Sequence, residues 1–223
     1  MKAMILAAGR GERMRPLTDE LPKPLLEVGD KPLIVYHIEK LAAAGFEEII
    51  INIAHLGFKI PESLGDGSAW GVKITYSDEQ ALGALESAGG IIKALALLGE
   101  ETFLVVNGDV FCDYKFNSAF ELKDKLAHLI LVPNPPHNPK GDFGLDNACV
   151  LNDNTKKYTF SGIGYYNPKI FKGLRAEKLA LAPILREYIE TQDISGELFD
   201  GTWHDIGTPQ RLDEINRIVK DDK

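Results

Sequence analysis

The first half of the chain repeats one pattern, in which a short apolar run is followed by a longer segment with helical spacing. The apolar runs are typical of buried strands, and the segments between them place apolar residues three or four positions apart. The pattern predicts strands at 2–8, 47–54, 71–77 and 102–109, and helices at 33–45, 56–67 and 86–99. Alternating strands and helices favour parallel βαβ units. We therefore predict an α/β fold with a doubly wound, mostly parallel (mixed) sheet and helices on both faces.

The second half of the chain is less regular. Its pattern predicts strands at 127–133, 148–153 and 158–166, a turn at 152–157, and helices at 179–190 and 209–222. The segment 134–142 is rich in Pro and Asn, which indicates a loop. Because no internal repeat or low-complexity linker divides the sequence, we predict a single domain over residues 1–223.

Composition and charge narrow the classes of function. The 223 residues are 44% hydrophobic and 26% charged, with a formal net charge of −8, as in an ordinary globular protein. An acidic chain is a poor general binder of nucleic acid or anionic membranes, and no apolar run approaches the roughly 20 residues of a membrane span. Cys112 and Cys149 are far apart, which suits a reducing compartment. We predict a cytoplasmic protein with no nucleic-acid or membrane partner; the oligomeric state is left open, with a monomer as the simplest case.

Positive charge and glycine are concentrated directly behind the first predicted strand, in residues 6–18 (LAAGRGERMRPLT). Ligands of parallel α/β sheets bind at the carboxyl ends of strands. Gly9 and Gly11 would let backbone N–H groups approach phosphate oxygens, and Arg13 could add forked donors. The segment lacks the third glycine of a dinucleotide-binding turn, where Met14 stands, and it lacks the G-K-[ST] of a Walker loop. On its own it predicts either a phosphate-binding loop or a solvated surface loop.

A longer stretch resolves this choice. Residues 7–34 (AAGRGERMRPLTDELPKPLLEVGDKPLI) resemble the signature of the sugar-phosphate nucleotidyltransferases, G-x-G-x-R-x-x-P-L-T followed by P-K-P-L. VVNGDV, GDFGL, FSGIG and WHDIGTP are similar to later motifs of that family, in the same order. Within the family, the segments LESAGGIIKAL, VNGDVFCDY and LAPILR are most similar to uridylyltransferases of cell-wall recycling that act on N-acetylmuramic acid 1-phosphate.

This resemblance implies a Rossmann-like nucleotidyltransferase fold and a reaction between UTP and a sugar 1-phosphate that yields a UDP-sugar and pyrophosphate. It implies a nucleotide-binding half at 1–112 and a sugar-binding half at 113–223. The attacking phosphate has a second pKa of about 6, so it is already mostly dianionic at neutral pH and needs no general base. Catalysis would then depend on positioning and on neutralising charge.

The resemblance also implies roles for residues on the nucleotide side. Ala8, Gly9, Gly11, Glu12 and Arg13 would cradle the triphosphate, with Arg13 on the leaving pyrophosphate. Lys23 would bridge the α-phosphate and the sugar phosphate; the alternative is a solvated surface lysine. Glu79 would accept from uracil N3–H, with Gly89 letting the backbone approach the base; the alternative for Glu79 is an exposed loop residue.

Mg²⁺ is the implied cofactor, because this cation takes one or two carboxylates together with substrate phosphates. The implied ligands are Asp109 and Asp205; the alternatives are a turn residue after a strand for Asp109 and a helix cap for Asp205, although Thr208 is the better cap.

The implied sugar-side residues are Asn107, Asp142 and Gly162. Asn107 could instead be a turn residue, and Asp142 could instead close the turn at the end of the loop 134–142.

Two other functions stay open at the level of sequence. The first is a related enzyme with another substrate pair, such as a thymidylyltransferase with glucose 1-phosphate, a guanylyltransferase with mannose 1-phosphate or a cytidylyltransferase with a choline phosphate. The second is a non-catalytic sensor of nucleotide sugars. The presence of Arg13, Lys23, Asp109 and Asp205 argues against a sensor, which needs no route for pyrophosphate.

Overall fold

The computed structural model describes residues 1–153 and 155–221. Its strands are β1 (Lys2–Leu6), β2 (Glu27–Val28), β3 (Lys31–Pro32), β4 (Glu48–Ile53), β5 (Lys73–Asp78), β6 (Phe103–Asn107), β7 (Val110–Cys112), β8 (Ala127–Val132), β9 (Phe143–Asp146), β10 (Cys149–Leu151), β11 (Lys157–Tyr166), β12 (Ile194–Leu198) and β13 (Trp203–Asp205). Its α-helices are α1 (Leu17–Glu20), α2 (Leu33–Ala43), α3 (Lys59–Leu64), α4 (Glu86–Leu98), α5 (Leu181–Glu190) and α6 (Pro209–Asp221). Residue 154 of the predicted turn and residue 222 of the predicted last helix lie outside the described residues.

Nine strands form one mixed sheet in the order β5-β4-β1-β6-β11-β8-β12-β10-β9. The strands β5, β4, β1 and β6 run parallel, as the alternation in the first half predicts. The strand β11 lies antiparallel between β6 and β8, so the second half contains more antiparallel pairing than the sequence pattern indicates. The predictions missed β2, β3, β7 and β13, which have two or three residues each, too few for a clear alternation, and they also missed the five-residue β12.

The two faces of the sheet are covered by different helices, which confirms the doubly wound architecture. Ala3 and Ile5 of β1 face one side and pack in a core with Ile38 of α2. Met4 faces the other side and packs in a core with Ile91 of α4 and with residues of α5. Because successive strand residues point to opposite faces, a wholly apolar strand is what a sheet covered on both sides requires.

The carboxyl ends of the parallel strands lie at one edge of the sheet. Leu6, the last residue of β1, pairs with Asn52 of β4 on one side and with Asn107 of β6 on the other. A two-stranded ribbon of β7 and β13 extends this edge, and in it Asp205 lies opposite Val110. The 13-residue α6 packs behind the ribbon. Among the described residues, none lies in a helix long and apolar enough to cross a membrane.

Candidate active site

A cleft of about 630 Å³ opens at this edge of the sheet, beyond the ends of β1 and β6. The residues predicted for the site that line it are Ala8, Gly9, Gly11, Glu12, Arg13, Lys23, Glu79, Asn107 and Asp109. The structure therefore brings the predicted phosphate loop, the lysine loop and the end of β6 to one place. The sequence analysis missed Asn52, Ser87 and Gly207, which also line the cleft. Asn52 could have been found, because it is a polar residue near the end of an apolar strand at the same edge as Asn107.

The phosphate loop is held in shape by its own backbone. Gly11 has a left-handed φ of 64°, and its carbonyl accepts hydrogen bonds from the N–H of Met14 (2.8 Å) and from Thr18 Oγ1 (2.8 Å). A Cβ at position 11 would lie 2.8 Å from Thr18 Cγ2, so both the conformation and the packing require glycine here. Arg13 follows in the short 3-10 helix Glu12–Met14, where it is exposed and makes no ion pair with any described residue. Its guanidinium is thus available to an anion in the cleft.

Lys23 is held at the floor of the cleft rather than on the open surface. It begins a 3-10 turn between Pro22 and Pro24, and its side chain is 11% exposed. Its Nζ lies 2.6 Å from Asp109 Oδ2, directly beyond the end of β6. A largely buried lysine that is paired with a carboxylate does not fit the alternative of a solvated surface residue.

Asp205 does not line the cleft, but long-range pairing brings it next to Asp109. The N–H of Ile206 donates to the carbonyl of Asp109 (2.7 Å), which joins the two predicted metal ligands through the backbone. A methyl group on Gly207 would lie 3.2 Å from Asp205 Oδ2 and 3.3 Å from Arg13 Nη2, so these two groups converge over that glycine. The cap of α6 is Thr208, whose hydroxyl accepts from the N–H of Arg211 (3.4 Å). The helix-cap alternative for Asp205 is therefore wrong.

Two side chains that contact Asp205 were missed by the sequence analysis. Asp205 Oδ1 lies 2.9 Å from His137 Nε2, and Oδ2 is paired with Arg211 Nη1. His137 comes from the Pro-rich loop 134–142, and no local pattern in the sequence marks it as a neighbour of Asp205. The three side chains border a second cavity of about 560 Å³ that Trp203 also lines.

The donor set fits magnesium. Asp109 and Asp205 offer hard carboxylate oxygens, and Mg²⁺ typically completes its shell with substrate phosphates and water. Among the described residues, no group of three or more His, Cys, Asp or Glu side chains could hold a metal ion without such a substrate. Each carboxylate is neutralised by a cation, namely Lys23 or Arg211, so a metal ion would compete with these ion pairs.

Glu79 and Gly89 are placed differently from what the resemblance implies. Glu79 is fully buried, and its two carboxylate oxygens already accept hydrogen bonds from Asn52 Nδ2 (2.8 Å) and from the N–H of Leu85 (3.0 Å). The alternative of an exposed loop glutamate is therefore wrong. Gly89 does not line the cleft; a Cβ there would overlap the carbonyl oxygen of Glu177 on the far side of α4. Its missing side chain leaves room for the backbone of residue 177.

The sugar-side residues are also divided by the structure. Gly162 has a φ of 79° within an irregularity of β11, and a Cβ there would lie 2.6 Å from Asn107 Cγ. Asn107 thus packs over Gly162, and its amide makes no hydrogen bond with any described residue. Asp142 lies outside both cavities, and its carboxylate accepts from the N–H of Phe160 (2.9 Å) and from Asn138 Nδ2 (3.2 Å). This placement favours the alternative in which Asp142 closes its turn.

Comparisons with known proteins identify the family of the chain. A family model described as nucleotidyl transferase matches residues 2–222. The chain is 55% identical to the N-acetylmuramate alpha-1-phosphate uridylyltransferase of Neisseria meningitidis, over 98% of each chain. It is 32% identical to the UTP--glucose-1-phosphate uridylyltransferase of Synechocystis, over 89% of this chain and 54% of the relative.

A solved structure from Bacillus anthracis, proposed to be a glucose-1-phosphate thymidylyltransferase, is similar with a TM-score of 0.85 and 25% identity. The match covers 99% of this chain and 96% of that one. The chain therefore belongs to the nucleotidyl transferase family.

Proposed function

We propose that this chain transfers a uridylyl group from UTP to a sugar 1-phosphate, with N-acetylmuramic acid 1-phosphate as the preferred acceptor. The observation that carries the proposal is the meeting of Arg13, Lys23 and Asp109 in one cleft, behind a loop shaped for phosphate. The relative that is 55% identical over 98% of both chains supports uridine and this sugar acid. A relative named for another substrate pair, the glucose-1-phosphate thymidylyltransferase of Streptomyces antibioticus, is 27% identical.

The chemistry requires charge neutralisation more than proton transfer. A phosphate oxygen of the sugar 1-phosphate attacks the α-phosphorus of UTP and forms a new P–O bond. The bond from the α-phosphorus to the bridging oxygen breaks, and its electron pair leaves with pyrophosphate. Lys23 would lie between the two anionic groups, and Arg13 would stabilise the leaving pyrophosphate. Asp109 and Asp205 would hold Mg²⁺, which neutralises phosphate charge when it is bound.

The remaining assignments follow from this reaction. We propose that residues 1–112 bind the nucleotide and that the sugar is bound by Asn107 and Gly162 with residues of 113–223. The unpaired thiols of Cys112 and Cys149 are typical of a protein in a reducing compartment and support a cytoplasmic location. A role in peptidoglycan recycling follows if N-acetylmuramic acid 1-phosphate is the acceptor.

The test is a panel of pyrophosphate release with four NTPs against the 1-phosphates of N-acetylmuramic acid, glucose and mannose. We expect Mg²⁺-dependent release with UTP and the sugar acid. Clear preference for GTP or CTP would exclude the uridylyl reaction, and full activity in excess chelator would exclude the metal role. Release with no pair would favour a sensor.

The same panel tests Lys23. Lys23→Ala should lower kcat by about 10²–10³, because one preorganised charge contact at a reacting centre is worth about that much. Lys31→Ala is the matched control: Lys31 also forms a lysine–carboxylate pair, with Glu39 at 2.7 Å, but it does not line the cleft. Such a surface pair contributes about 0–1 kcal/mol, so the control should keep wild-type kinetics. Equal losses in both variants would contradict the role of Lys23.

A further inference from the structure

A buried chain of three hydrogen bonds crosses the base of the cleft. Asn52, near the end of β4, accepts from the N–H of Ala7 (2.7 Å) through Oδ1. Its Nδ2 donates to Glu79 Oε1 (2.8 Å), just beyond the end of β5. Glu79 Oε2 accepts from the N–H of Leu85 (3.0 Å), the residue before α4. These hydrogen bonds thus connect Ala7, the first residue of the phosphate loop after β1, to the loop 79–85 on the other side of the cleft.

The hydrogen-bonded pair Asn52–Glu79 is buried, and burying polar side chains costs free energy. Asn52 is 3% exposed and Glu79 is 0% exposed. Burying a carboxylate is unfavourable unless donors satisfy it, and apolar residues of similar size are often at least as stable. A Cβ on Gly90 would lie 2.7 Å from Glu79 Oε1 and 2.8 Å from Asn52 Nδ2, so α4 leaves room for the pair. Because burying this pair costs free energy, stability alone does not account for it.

We propose that Asn52 and Glu79 are a positioning pair that fixes the phosphate loop relative to the loop 79–85. The inference rests on the proposed function, since these two loops would hold the triphosphate and the nucleoside of one UTP molecule. Ala7, Asn52 and Glu79 all line the cleft, so a shift in any of them changes its width. Glu79 is 0% exposed and each of its oxygens already accepts one hydrogen bond, so we assign it to positioning rather than to contact with uracil.

The polarity of the pair can be reversed without losing a hydrogen bond, which gives a sharp test. In Asn52→Asp alone, two carboxylates face each other where an amide donated. In Glu79→Gln alone, the NH₂ group of the new amide faces a donor, either Asn52 Nδ2 or the N–H of Leu85, so one hydrogen bond is lost. In the double variant N52D/E79Q, Asp accepts from Ala7 and from the Gln amide, and the Gln oxygen accepts from Leu85. All three hydrogen bonds and the net charge are retained.

The measurements are UTP binding by calorimetry in Mg²⁺ without sugar phosphate, KM for each substrate, and Tm. Each single variant should weaken UTP binding by roughly 10- to 150-fold, the value of about 1.5–3 kcal/mol for a hydrogen bond to a charged group. KM for the sugar 1-phosphate should stay within about 2-fold, because the pair lies on the nucleotide side. The double variant should bind UTP nearly as well as the wild type.

Asn216→Asp is the matched control. Asn216 Oδ1 also accepts a backbone N–H, from Gly29 (2.7 Å), but it lies on α6 away from the cleft, so its variant should bind UTP normally.

Three results would overturn the inference. The first is a double variant that binds UTP no better than the worse single variant. The second is recovery of Tm in the double variant without recovery of UTP binding, which would make the pair purely structural. The third is a change of nucleobase preference in Glu79→Gln that persists in the double variant N52D/E79Q. This result would assign Glu79 to recognition of the base. Wild-type protein that binds no UTP would instead overturn the proposed function, and this inference with it. The double variant decides the question even where a single variant does not fold.

Discussion

At the scale of single residues, the same residue type has a different role depending on which donors reach it. Asp109 and Asp142 both follow turn-forming residues in the sequence, yet one faces the cleft and the other is bonded to β11 and to its own loop. Asp109 meets a lysine side chain, whereas Asp142 meets a backbone N–H and an asparagine amide. These two donors engage both oxygens of Asp142, so the carboxylate holds the loop against β11.

Asp142→Ala should therefore reduce stability rather than sugar binding. The substitution leaves the N–H of Phe160 without its acceptor, at a cost of about 1–3 kcal/mol. A chain of this size loses roughly 2–4 °C in Tm per kcal/mol, so thermal unfolding should shift by several degrees. KM for the sugar 1-phosphate should not change.

Asp146→Ala, at an exposed position at the end of β9, is the control and should leave Tm within about 1 °C. An unchanged Tm for Asp142→Ala together with a large rise in sugar KM would restore the sugar-binding role.

At the scale of elements, the start of α4 is fixed by a segment from the other half of the chain. The N–H groups of Ala88 and Gly89 donate to the carbonyl of Leu179 (3.0 and 3.1 Å), and the N–H of Leu179 donates to the carbonyl of Leu85 (3.0 Å). These bonds satisfy donors that the first turn of a helix otherwise leaves open. The residues 84, 86 and 87 line the cleft, so this contact between halves also sets one wall of the site.

Gly89→Ala should destabilise the protein, although alanine is the better helix former. Helix propensity alone predicts a gain of about 0.5–1 kcal/mol, whereas overlap with the Glu177 carbonyl predicts a loss of about 1–3 kcal/mol. We expect a lower midpoint in urea unfolding and a higher KM for UTP, since the wall of the cleft moves with the helix. Ala96→Gly, at an exposed position of α4, measures the propensity effect alone. A Gly89→Ala variant with increased stability would contradict this prediction, because it would show that the segment 175–179 moves away from residue 89 at little cost in free energy.

At the scale of the whole molecule, a buried histidine links stability to pH. His37 is a buried residue of α2, where burial, and secondly the positive charge of Lys40, lower its pKa to about 4. In the unfolded chain the pKa is about 6.5. Below pH 6.5 the unfolded chain binds a proton that the folded chain does not, so stability falls as the pH drops from about 6.5 to 4.

The total loss from this group is about 3 kcal/mol, from a shift of roughly 2.5 pKa units at 1.36 kcal/mol each. The measurement is the free energy of urea unfolding at pH 7 and pH 4.5 for the wild type and for His37→Leu. The variant should lose less stability between these two pH values, because carboxylates contribute equally to both proteins. Parallel pH profiles would contradict a neutral His37 in the folded state.

The sequence by itself determined the features that depend on neighbouring residues. The apolar runs specified β1, β4 and β6, and glycine with arginine directly behind β1 indicated the phosphate loop, because strand burial and turn conformation are encoded locally. The resemblance to the nucleotidyltransferases rests on such local segments, and the family model confirms it.

Only the tertiary structure decided which distant groups meet. The pairing of β13 with β7 carries Asp205 to Asp109, and the loop 134–142 and α6 bring His137 and Arg211 to Asp205. The hydrogen bonds of Glu79 and the packing of Gly89 against residue 177 likewise join segments far apart along the chain or across a turn. Strand register and helix packing decide which of several chemically equivalent donors reaches a carboxylate. Register and packing are set by the sum of many contacts and not by the residues that are adjacent to the carboxylate in the sequence.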